Sequence, residues 1–112
     1  MKSGNLFAGI PDRLHEESFL DILNRGNVRI ERIVSQGHRS PDGFWYDQGW
    51  DEWVLVISGR AELEMDGMEP PVELGPGDHI LIPSHTRHRV VWTDARENTV
   101  WLAVHIHSSD NL

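Results

Sequence analysis

From position 27 onward the apolar residues fall into short runs of period two, punctuated by turn residues at intervals of about 8 to 12 positions. Residues 27–35 are rich in Val and Ile, and residues 52–57 form a mostly apolar run that Ser58 and Gly59 turn into the next segment. In that segment Ala61, Leu63 and Met65 alternate with Arg60, Glu62 and Glu64, the pattern of a strand with one buried face. Asp66-Gly67 is a hairpin signal, and Gly75-Pro76-Gly77-Asp78 is a second turn. Further strands are predicted over residues 72–74, 79–82, 88–93 and 99–107, with a polar turn at 94–98. Many short strands separated by turns predict an all-β, antiparallel sandwich or barrel.

One stretch shows a different period. Phe19, Ile22 and Leu23 are spaced i, i+3, i+4, Leu20 widens the stripe, and Gly26 stands where a helix C-cap belongs. Pro11 and Asp12 make an entry, and Ser18 caps a shorter alternative. This spacing predicts one short helix over residues 12–25, within an N-terminal segment 1–26 that precedes a β-domain over 27–107. The longest irregular stretch is 36–49, and long loops in small β-domains tend to carry function.

At 112 residues the chain suits a single domain spanning 1–112. The absence of cysteine removes disulfides, thiolate ligands and a cysteine nucleophile, so any metal must be held by His, Asp, Glu or amide groups. The net charge of -8, from 18 acidic and 10 basic residues, lacks the basic face that a nucleic-acid binder needs. No apolar run approaches the roughly 20 residues that span a bilayer, and the first residues lack a signal-peptide core. A cytoplasmic domain with neither nucleic-acid nor membrane partners is expected.

The order Gly77, Asp78, Pro83, His88 resembles the second signature motif of the cupin superfamily: a Gly-Asp turn, a strand ended by Pro, and a His pointing into a small barrel. The first motif of that superfamily has two histidines on alternate positions, then a Glu, then a strand closed by Gly. Glu52 and Gly59 have the matching separation, with Val54, Leu55, Val56 and Ile57 between them. The histidine positions fall on Tyr46 and Gln48, or in the alternative spacing on Trp45 and Asp47, so neither count yields a histidine. In the second motif His85 stands where glycine is common, and Trp92 where asparagine often sits. The resemblance covers residues 28 to 107 and implies a jelly-roll β-barrel and, as in similar small cupins, a homodimer, with residues 27–35 available as the pairing segment.

A cupin of the usual kind holds a divalent transition metal (Zn, Mn, Fe, Ni or Co) on imidazole and carboxylate donors. The resemblance therefore implies Glu52 and His88 as ligands and catalytic groups, with Gln48 or His105 completing the shell. If the last hairpin is symmetric about residues 94–99, His88 faces His105 and Trp92 faces Trp101. A one-residue slip turns His105 outward instead, and the clean apolar series Val100, Leu102, Val104, Ile106 favours that register. Tyr46, Trp50, His85 and Trp92 are candidates for a substrate pocket, while Trp53, Trp92 and Trp101 also suit core packing. His79 is expected to point outward, and His15 and His38 join no constellation. Two readings follow: a metal-dependent cupin acting on or sensing a small polar metabolite, of isomerase, lyase or dioxygenase type, or a metal-free barrel that binds a sugar or organic acid without catalysis.

Overall fold

The computed structural model describes residues 1–108. Eight strands occur in the order β1 (Ser18–Arg25), β2 (Val28–Ser35), β3 (Asp51–Ser58), β4 (Ala61–Met65), β5 (Val72–Leu74), β6 (His79–Ile82), β7 (His88–Thr93) and β8 (Thr99–Ile106). Rather than one closed barrel, they form two antiparallel sheets, a five-stranded sheet ordered β1-β2-β8-β3-β6 and a three-stranded sheet ordered β5-β4-β7. The result is an all-β jelly-roll sandwich, and there is no helix among the described residues.

The predicted N-terminal helix is therefore incorrect, and the physical reason lies in β1. It pairs along β2 from Ser18 opposite Val34 to Arg25 opposite Val28, with a bulge between Asp21 and Leu23. Before the bulge Phe19 shares the face of Ile33, and after it Leu23 shares the opposite face with Ile30. A bulge inserts one residue and shifts the strand's phase, so apolar residues at helical spacing can belong to a bent strand. Gly26, with φ of 54°, is the first residue of the two-residue β1–β2 turn rather than a helix cap.

The core lies between the sheets. Val54 and Val56 of β3, Trp101 and Ala103 of β8, and Ile82 of β6 pack against Ala61, Leu63 and Met65 of β4 and Leu74 of β5. The alternation seen along residues 60–65 is thus the buried face of the smaller sheet. Gly59, which turns β3 into β4, is at φ 83°, and a Cβ there would lie 2.5 Å from Thr99 Cα. Only glycine fits both that conformation and that approach.

The outer face of the larger sheet is also apolar. Register puts Trp53 beside Val104 and Leu81, Leu55 beside Leu102, and Ile30 beside Val104 on the face away from the core. Leu20, Leu81 and Ile106 on that side are 46%, 53% and 41% exposed. The N-terminal segment reaches this face at Arg32, whose buried guanidinium donates to the carbonyls of Leu6 (3.1 Å) and Ala8 (2.7 Å).

Candidate functional site

A cavity of about 420 Å³ opens between the sheets, walled on one side by residues of the packed core. Val54, Leu63, Ile82, Val90 and Trp101 form apolar walls, and Glu17, Glu31, Glu52, His88 and His105 bring polar groups to the same space. Each polar position follows from strand phase. Glu52 stands one step before the buried Val54 on β3, directly between His105 of β8 and Ile82 of β6. His88 opens β7 opposite the buried Met65. The long 36–49 loop is pinned here by reciprocal backbone bonds between Tyr46 and His88, of 2.8 and 3.0 Å, and by His85 N–H donating to the Gln48 carbonyl at 2.7 Å. That clamp delivers Tyr46 and Gln48 to the cavity.

The two buried histidines make different surroundings. His88 Nδ1 lies 2.8 Å from the Thr86 carbonyl oxygen. A carbonyl can only accept, so Nδ1 carries the proton and Nε2 faces the cavity. Nε2 is 3.9 Å from Glu52 Oε1, too far for a hydrogen bond. Glu52 Oε1 accepts from the Gln48 amide at 2.7 Å, and the Tyr46 ring stacks on His88 with centroids 5.4 Å apart. Glu52 and His88 are 7% and 4% exposed.

At the second histidine every polar atom is engaged. Trp50 Nε1 donates to His105 Nδ1 at 2.9 Å, which leaves Nε2 as the protonated nitrogen, donating to Glu31 Oε1 at 2.8 Å. The other Glu31 oxygen accepts from Arg29 at 2.9 Å, and Arg29 also reaches Asp21 at 3.3 Å. Burial is the largest influence on Glu31 and pushes its pKa up, but His105 and Arg29 together outweigh it and hold the carboxyl below its ordinary value. Glu17, bonded to the Ser35 hydroxyl, has its pKa raised, chiefly by burial. The Tyr46 phenol is raised too, first by burial and then by the charges of Glu17, Glu52 and Glu31.

Of the expected site residues, Tyr46, Gln48, Trp50, Glu52, His88 and His105 line the cavity. His105 points inward although its hairpin premise fails: β7 and β8 belong to different sheets, and β8 runs between β2 and β3. The apolar series Val100 to Ile106 faces outward because the outer face of that sheet is itself apolar. Trp92 pairs with Glu62, is 43% exposed and is absent from the cavity wall, while Trp101 is buried and donates to Ser35 Oγ at 3.2 Å. Those two rings therefore do not pair. His85 is likewise outside, an exposed residue beside Asp47 Oδ1 at 3.3 Å. Trp53 lies on the outer face, its ring tilted against the exposed His79 with centroids 5.5 Å apart, so His79 points outward as expected. Glu17, Arg29, Glu31 and Ser35 were missed. The signal for three of them was the alternation Arg29, Glu31, Ile33, Ser35 along β2, which sets polar groups on one face.

The donor set does not fit a resident transition metal of the usual cupin kind. With both nitrogens of His105 engaged, His88 Nε2 and Glu52 are the strong donors left beside each other, Glu17 is bonded to Ser35 and forms no cluster with them, and the Gln48 amide and Tyr46 phenol are weak donors. Among the described residues no three His, Asp or Glu side chains gather closely enough to cage an ion.

Comparison with known proteins agrees with this fold. The profile of the Cupin domain family matches residues 33–105. A crystal structure from Ralstonia eutropha JMP134, described as that of a candidate mannose-6-phosphate isomerase, is 51% identical, with a TM-score of 0.93 over 96% of this chain and 100% of that one. A cupin superfamily protein of Desulfitobacterium hafniense DCB-2 superposes with a TM-score of 0.71 at 16% identity, over 88% of this chain and 84% of that one. Dimethylsulfoniopropionate lyase DddQ of Ruegeria pomeroyi is 39% identical over 51 residues, 43% of this chain. The match spans 25% of that lyase's length.

Proposed function

The chain belongs to the cupin family, and we propose that it binds a small metabolite directly on Glu52, Gln48 and His88 in the cavity between its sheets. The observation that carries this is the gap at His88. Its Nδ1 is satisfied by Thr86, its Nε2 faces a buried carboxylate 3.9 Å away, and the two atoms do not bond to each other. Buried polar groups left short of partners beside a roomy apolar cavity are arranged for a guest. A hydroxyl or other proton-bearing group between them can donate to one atom and accept from the other. The same pair can move a proton across a bound substrate, with Gln48 and Tyr46 fixing the two side chains. Relatives described as an isomerase and a lyase are compatible with such acid–base work.

Calorimetric screening of small metabolites against untagged protein tests this. A stabilising ligand is expected, insensitive to chelator, with affinity lost at least tenfold in Glu52→Gln and His88→Ala. Near one equivalent of transition metal in protein purified without chelator, removed by His88→Ala, would instead establish the metal-dependent reading.

The outer face of the five-stranded sheet supports a homodimer. The N-terminal segment covers one end of it, over Arg32, Val34 and Val100, and leaves the part bearing Leu20, Leu81 and Ile106 exposed. Five strands of up to eight residues present a face of roughly 20 by 27 Å. Projected, that is about 540 Å², below the roughly 800 Å² per partner of a standard interface, and the N-terminal segment covers part of it. Apart from Arg25, Arg32 and Asp51 the face is apolar, and a second copy related by a two-fold axis matches that apolar part. β2 lies inside the sheet and has no free edge, so the earlier expectation of pairing through residues 27–35 is replaced by packing of this face. Leu20→Glu with Leu81→Glu is expected to convert a dimer to monomer in sedimentation equilibrium; an unchanged mass would remove this interface.

A further inference from the structure

We infer that the cavity selects a small organic cation with an apolar body, and that it excludes phosphorylated sugars and other anions. This rests on the reading of Glu52, Gln48 and His88 as a binding site and adds the chemical class of the ligand.

Hydrogen-bond inventory is the first ground. Several donors of the lining are consumed within the lining. Trp50 donates to His105, His105 to Glu31, Arg29 to Glu31 and Asp21, Gln48 to Glu52, and Trp101 to Ser35. What the cavity still offers around Glu52 is chiefly acceptor capacity, on the second oxygen of Glu52, the amide oxygen of Gln48 and the Nε2 of His88, with the Tyr46 hydroxyl as a donor beside them and the remaining N–H groups of Arg29 at the Glu31 end. A phosphate monoester accepts hydrogen bonds and needs a cluster of donors, as an Arg fork or a helix N-terminus supplies.

Charge is the second ground. Three carboxylates, Glu17, Glu31 and Glu52, border one space of about 420 Å³. All three raise the pKa of the Tyr46 phenol, so their fields converge where a ligand would sit. The single guanidinium in the lining, Arg29, already serves two carboxylates. An anion entering here meets net negative potential with little water to screen it.

The third ground is the wall. Phe19, Tyr46, Trp50 and Trp101 line the same cavity. Aromatic faces attract alkylammonium and sulfonium groups and tolerate their methyl groups, an interaction that strengthens as water is excluded. Carboxylates beside aromatic rings therefore suit a bulky, weakly hydrated cation, and the apolar side walls suit its carbon body.

Isothermal titration of the full chain with choline, trimethylsulfonium, mannose and mannose 6-phosphate decides the matter. The expected result is binding of at least one of the two cations, at least tenfold tighter than mannose and with no heat from mannose 6-phosphate. Glu52→Gln, which keeps the size and removes the charge, is expected to weaken the cation at least tenfold while its circular dichroism melt shows a folded protein. Mannose 6-phosphate or mannose binding as tightly as either cation, and abolished by His88→Ala, would overturn the charge assignment while leaving the cavity as a ligand site. Absence of binding by all four compounds to folded protein would overturn both.

Discussion

Two histidines, one in each sheet, are each placed beside a buried glutamate, and the two pairs differ in one respect. His105 lies 2.8 Å from Glu31, and its other nitrogen accepts from Trp50. His88 lies 3.9 Å from Glu52, and its other nitrogen is held by a backbone carbonyl. In the first pair every atom is bonded to the protein itself, and the network runs on through Arg29 to Asp21 at the sheet edge. In the second, the carboxylate and imidazole are oriented by Gln48, Tyr46 and Thr86 but not joined. Closed polar networks rigidify a core, while an oriented, unjoined pair retains bonding capacity for something else. On the proposed reading, the corner at His105 holds the scaffold and the corner at His88 is the one that takes a ligand.

Deleting the two histidines should break the comparison most sharply. His105→Ala strands a buried Glu31 carboxylate and the Trp50 N–H, so it is expected to cost about 3 kcal/mol. His88→Ala opens onto an existing cavity that water can enter and strands one carbonyl, so about 1 kcal/mol is expected. Urea unfolding of both variants measures the difference. Equal losses, or a greater loss at His88, would mean that the two corners are not distinguished by hydrogen-bond closure.

A smaller change sharpens the same point. Trp50→Phe keeps a ring over His105 and removes its donor, and about 1 kcal/mol of stability should go with it. The more telling readout is the imidazole itself. Nitrogen-15 shifts should report a single Nε2–H tautomer for His105 in the wild type and a mixture in Trp50→Phe. An unaltered tautomer would show that Glu31 alone sets it. His88, held by Thr86, should stay in its Nδ1–H form in both proteins.

Much of this arrangement was legible in the sequence, and what was not has local causes. The strands from 52 onward, the turns at Gly59 and Gly75–Asp78, and the loop bearing Tyr46 and Gln48 followed from period-two patterning and turn chemistry. Asp78 N–H bonds the Gly75 carbonyl at 2.9 Å, as that turn requires. The N-terminal helix failed because a bulge between Asp21 and Leu23 moved apolar residues to both faces of an edge strand. The orientation of His105 was left open because apolar residues were assumed to mark the inside. In β8 they mark the outside, and the inward positions hold Thr99, Trp101, Ala103 and His105. A sheet with two apolar faces defeats any rule that reads burial from hydrophobicity alone. The closed network was invisible for a further reason: Trp50, Glu31 and His105 come from three separate stretches, joined by a register that the sequence does not announce.

The mildest test separates two carboxylates on the same side of the cavity. Glu31 has a lowered pKa in the folded protein, so its contribution is fully present above the ordinary carboxyl value of 4.5 and is lost as pH falls through its lower folded value. Glu17 has a raised one, because burial outweighs the Ser35 hydrogen bond and the attraction of His38, and Glu31 adds repulsion. The unfolded chain then releases this proton first, and stability declines as pH rises from 4.5 through the higher folded value. Glu17→Gln retains an oxygen for Ser35 and removes the buried charge. Its stability relative to wild type should therefore improve between pH 4 and pH 7, while that of Glu31→Gln should worsen from pH 4 to pH 5.5 and stay level above that. Urea midpoints at pH 4, 5.5 and 7 give both slopes. Slopes of the same sign would mean that the two carboxylates share one environment, and the boundary between the closed corner and the open cavity would have to be drawn elsewhere.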